Sequence, residues 1–107
     1  KMRFASAQVI AYVENDLWLR LARQANAAAA AIAAQIGGLP GVTLLAPVQA
    51  NELFIDMAPA ALSGLADDGI LYYRRGPRLA RIVCRWDSSA ANVAALVAGI
   101  RRHAAAA

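Results

Sequence analysis

The sequence predicts an α+β fold: a small antiparallel sheet of three or four strands, covered on one face by helices and preceded by a long alanine-rich helix. The first observation behind this prediction is that apolar residues recur at intervals of three and four up to Gly37. The second is that they alternate with polar residues from Val42 onward, which is typical of strands. The third is the pair Gly76 and Pro77 between two such runs, which predicts a hairpin.

The composition supports one compact unit with a modest core. The chain has 107 residues, which we divide into a helical segment, residues 1–38, and an α+β part, residues 39–107. Its 28 alanines favour helix but bury little area each, so larger side chains must supply most of the driving force. No apolar run approaches the roughly 18 residues that a membrane helix needs, and no secretory signal is convincing.

Two helices are predicted in the first segment. Ala5–Val13 is typical of a short helix, and Asn15 or Asp16 is expected to cap a second one. Gly37 and Gly38 are expected to end that second helix. Its apolar stripe is formed by Leu17, Leu21, Ala25, Ala28, Ile32 and Ile36.

The rest of the chain predicts short strands and two more helices. Val42–Leu45, Asn51–Met57 and Ile70–Arg74 are predicted strands, and Pro59–Ala66 is a predicted helix with Gly69 as its C-terminal cap. For the last helix, the alternative caps are Asp87, Ser88 and Ser89, and the apolar stripe comprises Val93, Leu96, Val97 and Ile100.

The fourth predicted strand, Arg78–Asp87, organises the domain. A period of two gives it an inward face that needs a core and an outward face that carries charge. A planar guanidinium presented by Arg81 from such a rigid strand suits two-point capture of a carboxylate or phosphate. The alternative is that Arg81 and Arg85 are solvated or pair with acids on a neighbouring strand. The inward positions are Ala80, Ile82, Cys84 and Trp86, and the outward positions are Arg81, Val83 and Arg85.

Few residues are suited to catalysis. Cys84 is expected to be a small buried thiol rather than a nucleophile, since no histidine is near it in sequence. The only histidine, His103, is expected in a frayed tail, so a metal ion has few ligands. There is no Gly-rich phosphate loop, no Ser/His/Asp set and no acid pair beside a plausible pocket. The chain by itself is therefore expected to be inactive.

Besides a part of an enzyme, two classes of function remain open for a chain with a net charge of +4. Five arginines within twelve residues are compatible with a stand-alone module that binds an anion or nucleic acid. No recognised nucleic-acid fingerprint accompanies them, and only Tyr72 and Tyr73 lie beside them apart from the inward Trp86. The third class is an inert structural or assembly domain. The five arginines are Arg74, Arg75, Arg78, Arg81 and Arg85.

Three stretches cover nearly all of the chain: KMRFASAQVIAYVENDLWLRLARQANAAAAAIAAQI, LPGVTLLAPVQANELFIDM and RIVCRWDSSAANVAALVAGI. In this order and spacing they resemble the carboxy-terminal third of low-specificity L-threonine aldolases. The most specific parts are DLWLRLARQAN, ANELF and the R-I-V-x-x-W-D strand followed by a helix. This family consists of pyridoxal-phosphate lyases of fold type I. A lysine before Met2 also indicates a piece of a longer protein or a processed product.

The resemblance implies that pyridoxal phosphate is bound by a large amino-terminal domain, through a Schiff-base lysine that this chain does not contain. Lys1 matches a lysine downstream of that one, so no catalytic, cofactor-binding or metal-binding residue is carried onto this chain. Arg81 matches the family arginine that binds the substrate α-carboxylate, whereas relatives more often have a small polar residue at Arg85. The implied reaction converts threonine or allo-threonine to glycine and acetaldehyde.

The resemblance also implies partners and a location. Residues 1–38 would join the chain to its own large domain, and the enzyme would be a cytoplasmic homo-oligomer, a dimer or tetramer, acting on an amino-acid substrate. Neither nucleic acid nor membrane is expected as a partner. Apolar residues of the joining segment are expected to be exposed or covered by another copy: Met2, Phe4, Val9 and Trp18.

Overall fold

The chain forms four helices and four strands, and its computed structural model describes residues 1–107. The helical first segment contains α1 (Met2–Val13), a 3-10 turn (Glu14–Asp16) and α2 (Leu17–Ile36). The second part consists of β1 (Thr43–Leu44), β2 (Glu52–Asp56), α3 (Pro59–Asp67), β3 (Tyr73–Arg74), β4 (Leu79–Val83) and α4 (Ala90–Ala106). The predicted α+β class, with its long alanine-rich helix before the sheet, is confirmed.

The sheet is antiparallel throughout, with the strands in the order β1-β2-β4-β3. The two five-residue strands, β2 and β4, lie in the middle and the two-residue strands lie at the edges. β3 and β4 form the predicted hairpin, in which Tyr73 is paired with Arg81. Gly76, with φ +116°, supplies the positive backbone angle that this turn requires.

The core lies between one face of the sheet and helices α2, α3 and α4. On β2, Leu53 and Ile55 are fully buried, as the alternating pattern predicts, and Met57 continues the series beyond the strand. Ala80 and Ile82 are the buried positions of β4. The opposite face, which we call the open face, has no helix over it and carries half-buried side chains: Glu52, Phe54, Asp56, Leu79, Arg81 and Val83.

The ends of α3 and α4 follow the chemistry that their cap residues predict. After α3, Gly69 has φ +82°, and its N–H and that of Ile70 donate to the carbonyl oxygens of Ala66 and Leu65. This is the double hydrogen bond that commonly ends helices at a glycine. At α4, Ser89 is the cap among the three candidates, and its side chain and that of Asn92 bond each other's backbone N–H groups.

The prediction that Trp86 is buried in the core was wrong. β4 ends at Val83, and although Cys84 is still held by a hydrogen bond to the Asn51 carbonyl, the chain then turns, with Ser88 N–H donating to the Arg85 carbonyl. The period of two therefore no longer applies at position 86. As a result, the Trp86 side chain is 54% exposed.

Of the two residues predicted to cap α2, Asp16 occupies the N-cap position. Its side chain does not make the hydrogen bond that such a cap normally supplies. Both residues have positive φ, 54° and 57°, whereas a capping side chain needs an extended backbone to reach the free N–H groups. The pair instead forms a kink between α1 and α2, and Arg20 donates to the Asn15 carbonyl there.

The first helix is longer than the sequence predicted and is not packed into the core. It begins at Met2 rather than Ala5, and none of its residues is buried. Its large apolar side chains remain exposed, among them Met2, Phe4 and Val9, and Trp18 at the start of α2 is 42% exposed. None of the four helices combines the length and hydrophobicity that spanning a bilayer requires.

His103 does not lie in a frayed tail. α4 continues to Ala106, and the His103 side chain is half-buried with its Nε2 atom 2.6 Å from Oδ2 of Asp68, just after α3. Arg102 also bonds this carboxylate. The prediction failed because the partner lies 35 residues away in sequence, where a local pattern gives no signal.

Candidate functional site

Arg81 lies in the middle of β4 on the open face of the sheet. Its Cα is paired with that of Phe54 on β2 and that of Tyr73 on β3. Residues directly opposite each other on antiparallel strands project to the same face, so the three side chains form one row across the sheet. The strand position that the sequence predicted for Arg81 is therefore the one it occupies.

The Arg81 side chain is partly exposed, and its guanidinium donates no hydrogen bond. Its Cζ atom lies 4.5 Å from the centroid of the Tyr73 ring, a distance at which cation and aromatic face attract each other. Its Nε is the one buried side-chain nitrogen or oxygen without a hydrogen-bond partner. An unsatisfied buried donor costs free energy, so it calls for an explanation such as an absent ligand.

The nearest acid to Arg81 is Glu52 on the neighbouring strand. The distance from Arg81 Nε to Glu52 Oε1 is 4.0 Å, which is the outer limit of an ion pair and too long for a hydrogen bond. The Glu52 side chain is 40% exposed, so water screens the attraction. This contact is the one expected if Arg81 is an ordinary surface charge paired with an acid, but it leaves the guanidinium N–H groups without acceptors.

Other arginines of the cluster are already paired within the chain. Arg78 donates hydrogen bonds to the Asp56 carboxylate from Nη2, at 2.6 Å, and from Nε, at 3.2 Å. These hydrogen bonds lower the pKa of Asp56 and raise the pKa of Arg78. Arg74 donates to the carbonyl oxygens of Gly76 and Pro77 in the hairpin turn. These two side chains therefore contribute to the structure of the domain rather than to a free basic patch.

Arg85 has surroundings unlike those of Arg81. It lies beyond the end of β4, its side chain is 69% exposed, and its Nε is 3.2 Å from Asp87. Arg81 lines none of the surface cavities, whereas Arg85 lines three, one of which lies between β4 and the start of α4. A small anion bound at Arg81 would thus have to be enclosed by groups outside these 107 residues.

The remaining reactive groups are structural. Cys84 is 3% exposed, and burial raises the pKa of its thiol, so it is held in the neutral form that reacts poorly. No cluster of three or more His, Cys, Asp or Glu side chains is arranged to hold a metal ion.

The residues of this chain do not fit pyridoxal phosphate. Lys1 is the only lysine, it is exposed before a helix that buries nothing, and it lines no cavity. A Schiff-base lysine needs an enclosed site that lowers its pKa. No part of a cofactor site is therefore assigned to these residues.

The structure defines a small α+β domain with helices on one face of the sheet and an arginine with unused hydrogen-bond donors on the other.

No protein-family model matches the chain. It is similar to the low specificity L-threonine aldolase of Pseudomonas sp. (strain NCIMB 10558), with 40% identity over 102 residues, and to that of Pseudomonas aeruginosa PAO1, with 36% over 102 residues. The resemblance that the sequence predicted is confirmed.

These matches cover 94% of this chain but only 30% of each relative. The chain thus spans less than a third of the length of the aldolases it resembles. That proportion is consistent with a carboxy-terminal small domain, the part of the family on which the sequence resemblance was based.

Sequence reasoning allowed for an acid on a neighbouring strand but did not identify the residues around Arg81, namely Phe54, Tyr73 and Glu52. A usable signal for Tyr73 was present, because a hairpin turn at Gly76 and Pro77 brings residues near 73 opposite residues near 81. The exact pairing depends on the number of residues in the turn, which sequence alone left open. Phe54 and Glu52 lie on β2, which is not adjacent to β4 in sequence, so nothing local indicates their contact with Arg81.

Proposed function

We propose that this chain is the carboxy-terminal small domain of a pyridoxal-phosphate-dependent, L-threonine-aldolase-like lyase, and that Arg81 binds the substrate α-carboxylate. The observation that carries the proposal is the buried Arg81 Nε without a hydrogen-bond partner, on a chain 40% identical to a low specificity L-threonine aldolase. The substrates would be threonine or allo-threonine, and the products glycine and acetaldehyde.

The contribution of Arg81 is orientation. A guanidinium can donate two parallel hydrogen bonds to a carboxylate, which fixes both the position and the plane of the substrate. In the longer protein the cofactor, bound elsewhere, supplies the electron sink for bond cleavage at Cα. Holding the carboxylate in one place restricts rotation of the substrate and so selects which bond at Cα is cleaved.

The open face would close against other parts of the protein. The Arg81 side chain is 25% exposed and lines no cavity in this chain. A second surface is therefore needed to exclude water from the bound carboxylate. We assign that surface to the large domain of a cytoplasmic homo-oligomer, with residues 1–38 as the connection to it. The enclosure would strengthen the charged hydrogen bonds that Arg81 makes.

The stand-alone anion or nucleic-acid module is less well supported. Arg78 and Arg85 are paired with Asp56 and Asp87, which reduces the net positive charge available to a phosphate backbone. Arg74 keeps its charge, but its guanidinium is held by carbonyl oxygens of the hairpin turn. An inert assembly domain would give no reason for the unpartnered Arg81 Nε.

The test is made with the protein translated from the complete reading frame that contains this chain. We expect cleavage of threonine to glycine and acetaldehyde, and a strong loss of kcat/KM in Arg81→Ala. A reading frame that lacks a lysine-bearing pyridoxal-phosphate domain upstream of Lys1 would overturn the proposal, as would a purified product without lyase activity.

A further inference from the structure

Tyr73 and Arg81 face each other across the hairpin at the edge of the open face. Their Cα atoms are paired, and the guanidinium carbon lies 4.5 Å from the centre of the tyrosine ring. Tyr73 belongs to the short edge strand β3, its side chain is 58% exposed, and it is not part of the hydrophobic core. The ring therefore contributes little to the core, and its close contact is with Arg81.

A two-point contact with a carboxylate requires a guanidinium whose plane is fixed. An arginine side chain has about 2 kcal/mol of rotamer entropy, which it loses when its position is restricted. Around Arg81, no hydrogen bond supplies that restriction, and Glu52 at 4.0 Å is too distant to do so. The Tyr73 ring, whose centroid is 4.5 Å from Arg81 Cζ, is the close contact that restricts where the guanidinium can lie.

We infer that Tyr73 is a positioning residue for Arg81: its ring holds the guanidinium against the sheet so that the remaining N–H groups are free and oriented for the substrate carboxylate. The inference rests on the proposed function of Arg81. Stacking uses the face of the guanidinium, whereas hydrogen bonding uses its edge, so both contacts can be made at once. The hydroxyl group of Tyr73 is not needed for this role.

The inference is tested by steady-state kinetics of the complete enzyme with threonine. Tyr73→Leu should raise KM by about three- to tenfold, the range that a partly desolvated cation–π contact supports, with a smaller change in kcat. Tyr73→Phe keeps the ring and should restore KM to within about twofold of the unsubstituted enzyme. The matched control is Tyr12→Leu, the same substitution at a tyrosine of similar exposure, 52%, on α1, and it should leave KM unchanged.

A double substitution separates this inference from the proposed function. If Tyr73 acts through Arg81, then Tyr73→Leu should have no further effect on KM in the Arg81→Ala background. A strong effect of Arg81→Ala with none from Tyr73→Leu would overturn the role of Tyr73 and leave that of Arg81 intact. A weak effect of Arg81→Ala would overturn both.

Two further results would contradict the positioning role specifically. If Tyr73→Phe is as impaired as Tyr73→Leu, the hydroxyl group contacts the substrate and stacking is not the cause. If Tyr73→Leu impairs the Arg81→Ala enzyme as much as the original, Tyr73 acts independently of the arginine. Since Tyr73 is exposed and lies outside the core, each variant is expected to fold, which a thermal unfolding midpoint equal to that of Tyr12→Leu would verify.

Discussion

The imidazole of His103 occupies the space in which a side chain at Gly64 would begin. A Cβ atom added at Gly64 would lie 2.2 Å from His103 Nδ1, far inside van der Waals contact. On its other side the same ring is bonded to Asp68, so it cannot move away without losing that contact. The absence of a side chain at Gly64 thus allows α3 and α4 to approach closely enough for His103 to reach the end of α3.

Gly64→Ala is expected to destabilise the domain. Alanine in a helix gains about 1 kcal/mol over glycine, but overpacking costs about 1–3 kcal/mol, so the net loss should be about 1 kcal/mol. In a His103→Ala background the clash is removed, and Gly64→Ala should become stabilising. Denaturant unfolding of the four proteins measures this reversal of sign, and equal effects in both backgrounds would contradict it. Gly38→Ala, at a position with open space around it, is the control.

The stability of the domain is expected to fall in acid. Hydrogen bonds from His103 and then Arg102 hold the pKa of Asp68 below its usual value. A carboxyl group whose pKa is lowered on folding contributes stability above its unfolded pKa, and this is lost as pH falls through the folded value, below about pH 4. The free energy of unfolding, measured at a series of pH values from pH 6 downward, should therefore decrease less with falling pH in Asp68→Asn than in the original protein. Asp67→Asn, which removes no ion pair, should retain the original slope.

If Arg81 binds the substrate carboxylate as proposed, Arg81→Ala in the longer protein should raise KM and lower kcat/KM. The loss of transition-state stabilisation should be several kcal/mol, on the order of a charged hydrogen-bonded pair in a closed site. Arg81→Lys should rescue activity only in part, because an ammonium group keeps the charge but loses the planar two-point contact. Arg85→Ala should cost much less, since Arg85 is exposed and already paired with Asp87. Steady-state kinetics of the three variants tests this prediction. Equal, small effects at positions 81 and 85 would mean that Arg81 is an ordinary surface charge.

The isolated chain should self-associate through α1. Met2, Phe4 and Val9 are all more than 60% exposed, and burying such side chains against another copy is favourable. Analytical ultracentrifugation should show a concentration-dependent increase in mass, which Phe4→Ser with Val9→Ser should weaken. Leu71→Ser, at a 93% exposed leucine away from α1, is the control. A strictly monomeric species at high concentration would count against the prediction.

The isolated chain should cleave no threonine and develop no visible absorbance of bound cofactor when pyridoxal phosphate is added. The reason is that its single lysine is exposed and lines no cavity, so no enclosed site is available to hold the cofactor. Acetaldehyde formation by material free of the full-length enzyme would contradict this.

The sequence predicted those parts of the fold that depend on local periodicity. The alternation in β2, the helical stripe that ends with Ile32 and Ile36, and the hairpin at Gly76 follow directly from the spacing of apolar and turn residues. Trp86 was misplaced because the alternation continues in the sequence after the strand has ended at Val83. Where a strand ends depends on its partners, and β2 offers Arg85 and Trp86 none.

The surroundings of the candidate site were less predictable than the site residue. Arg81 could be singled out from its strand position, but its contacts come from β2 and β3 and require the sheet register to be known. His103 and Asp68 show the same limitation between two helices. Contacts between elements distant in sequence depend on packing, for which a single sequence has no local signal.

The order of strands in the sheet limits how copies of this chain can aggregate. Unpaired edge strands are templates onto which another chain can add, and in this sheet both edges, β1 and β3, are only two residues long. The two strands long enough to support a ladder, β2 and β4, lie inside the sheet, and β1 and β3 each pair with two of their five residues. The surface through which copies associate is therefore the exposed apolar side of α1 rather than an extended β edge, and growth of amyloid-like fibrils would first require β1 or β3 to detach.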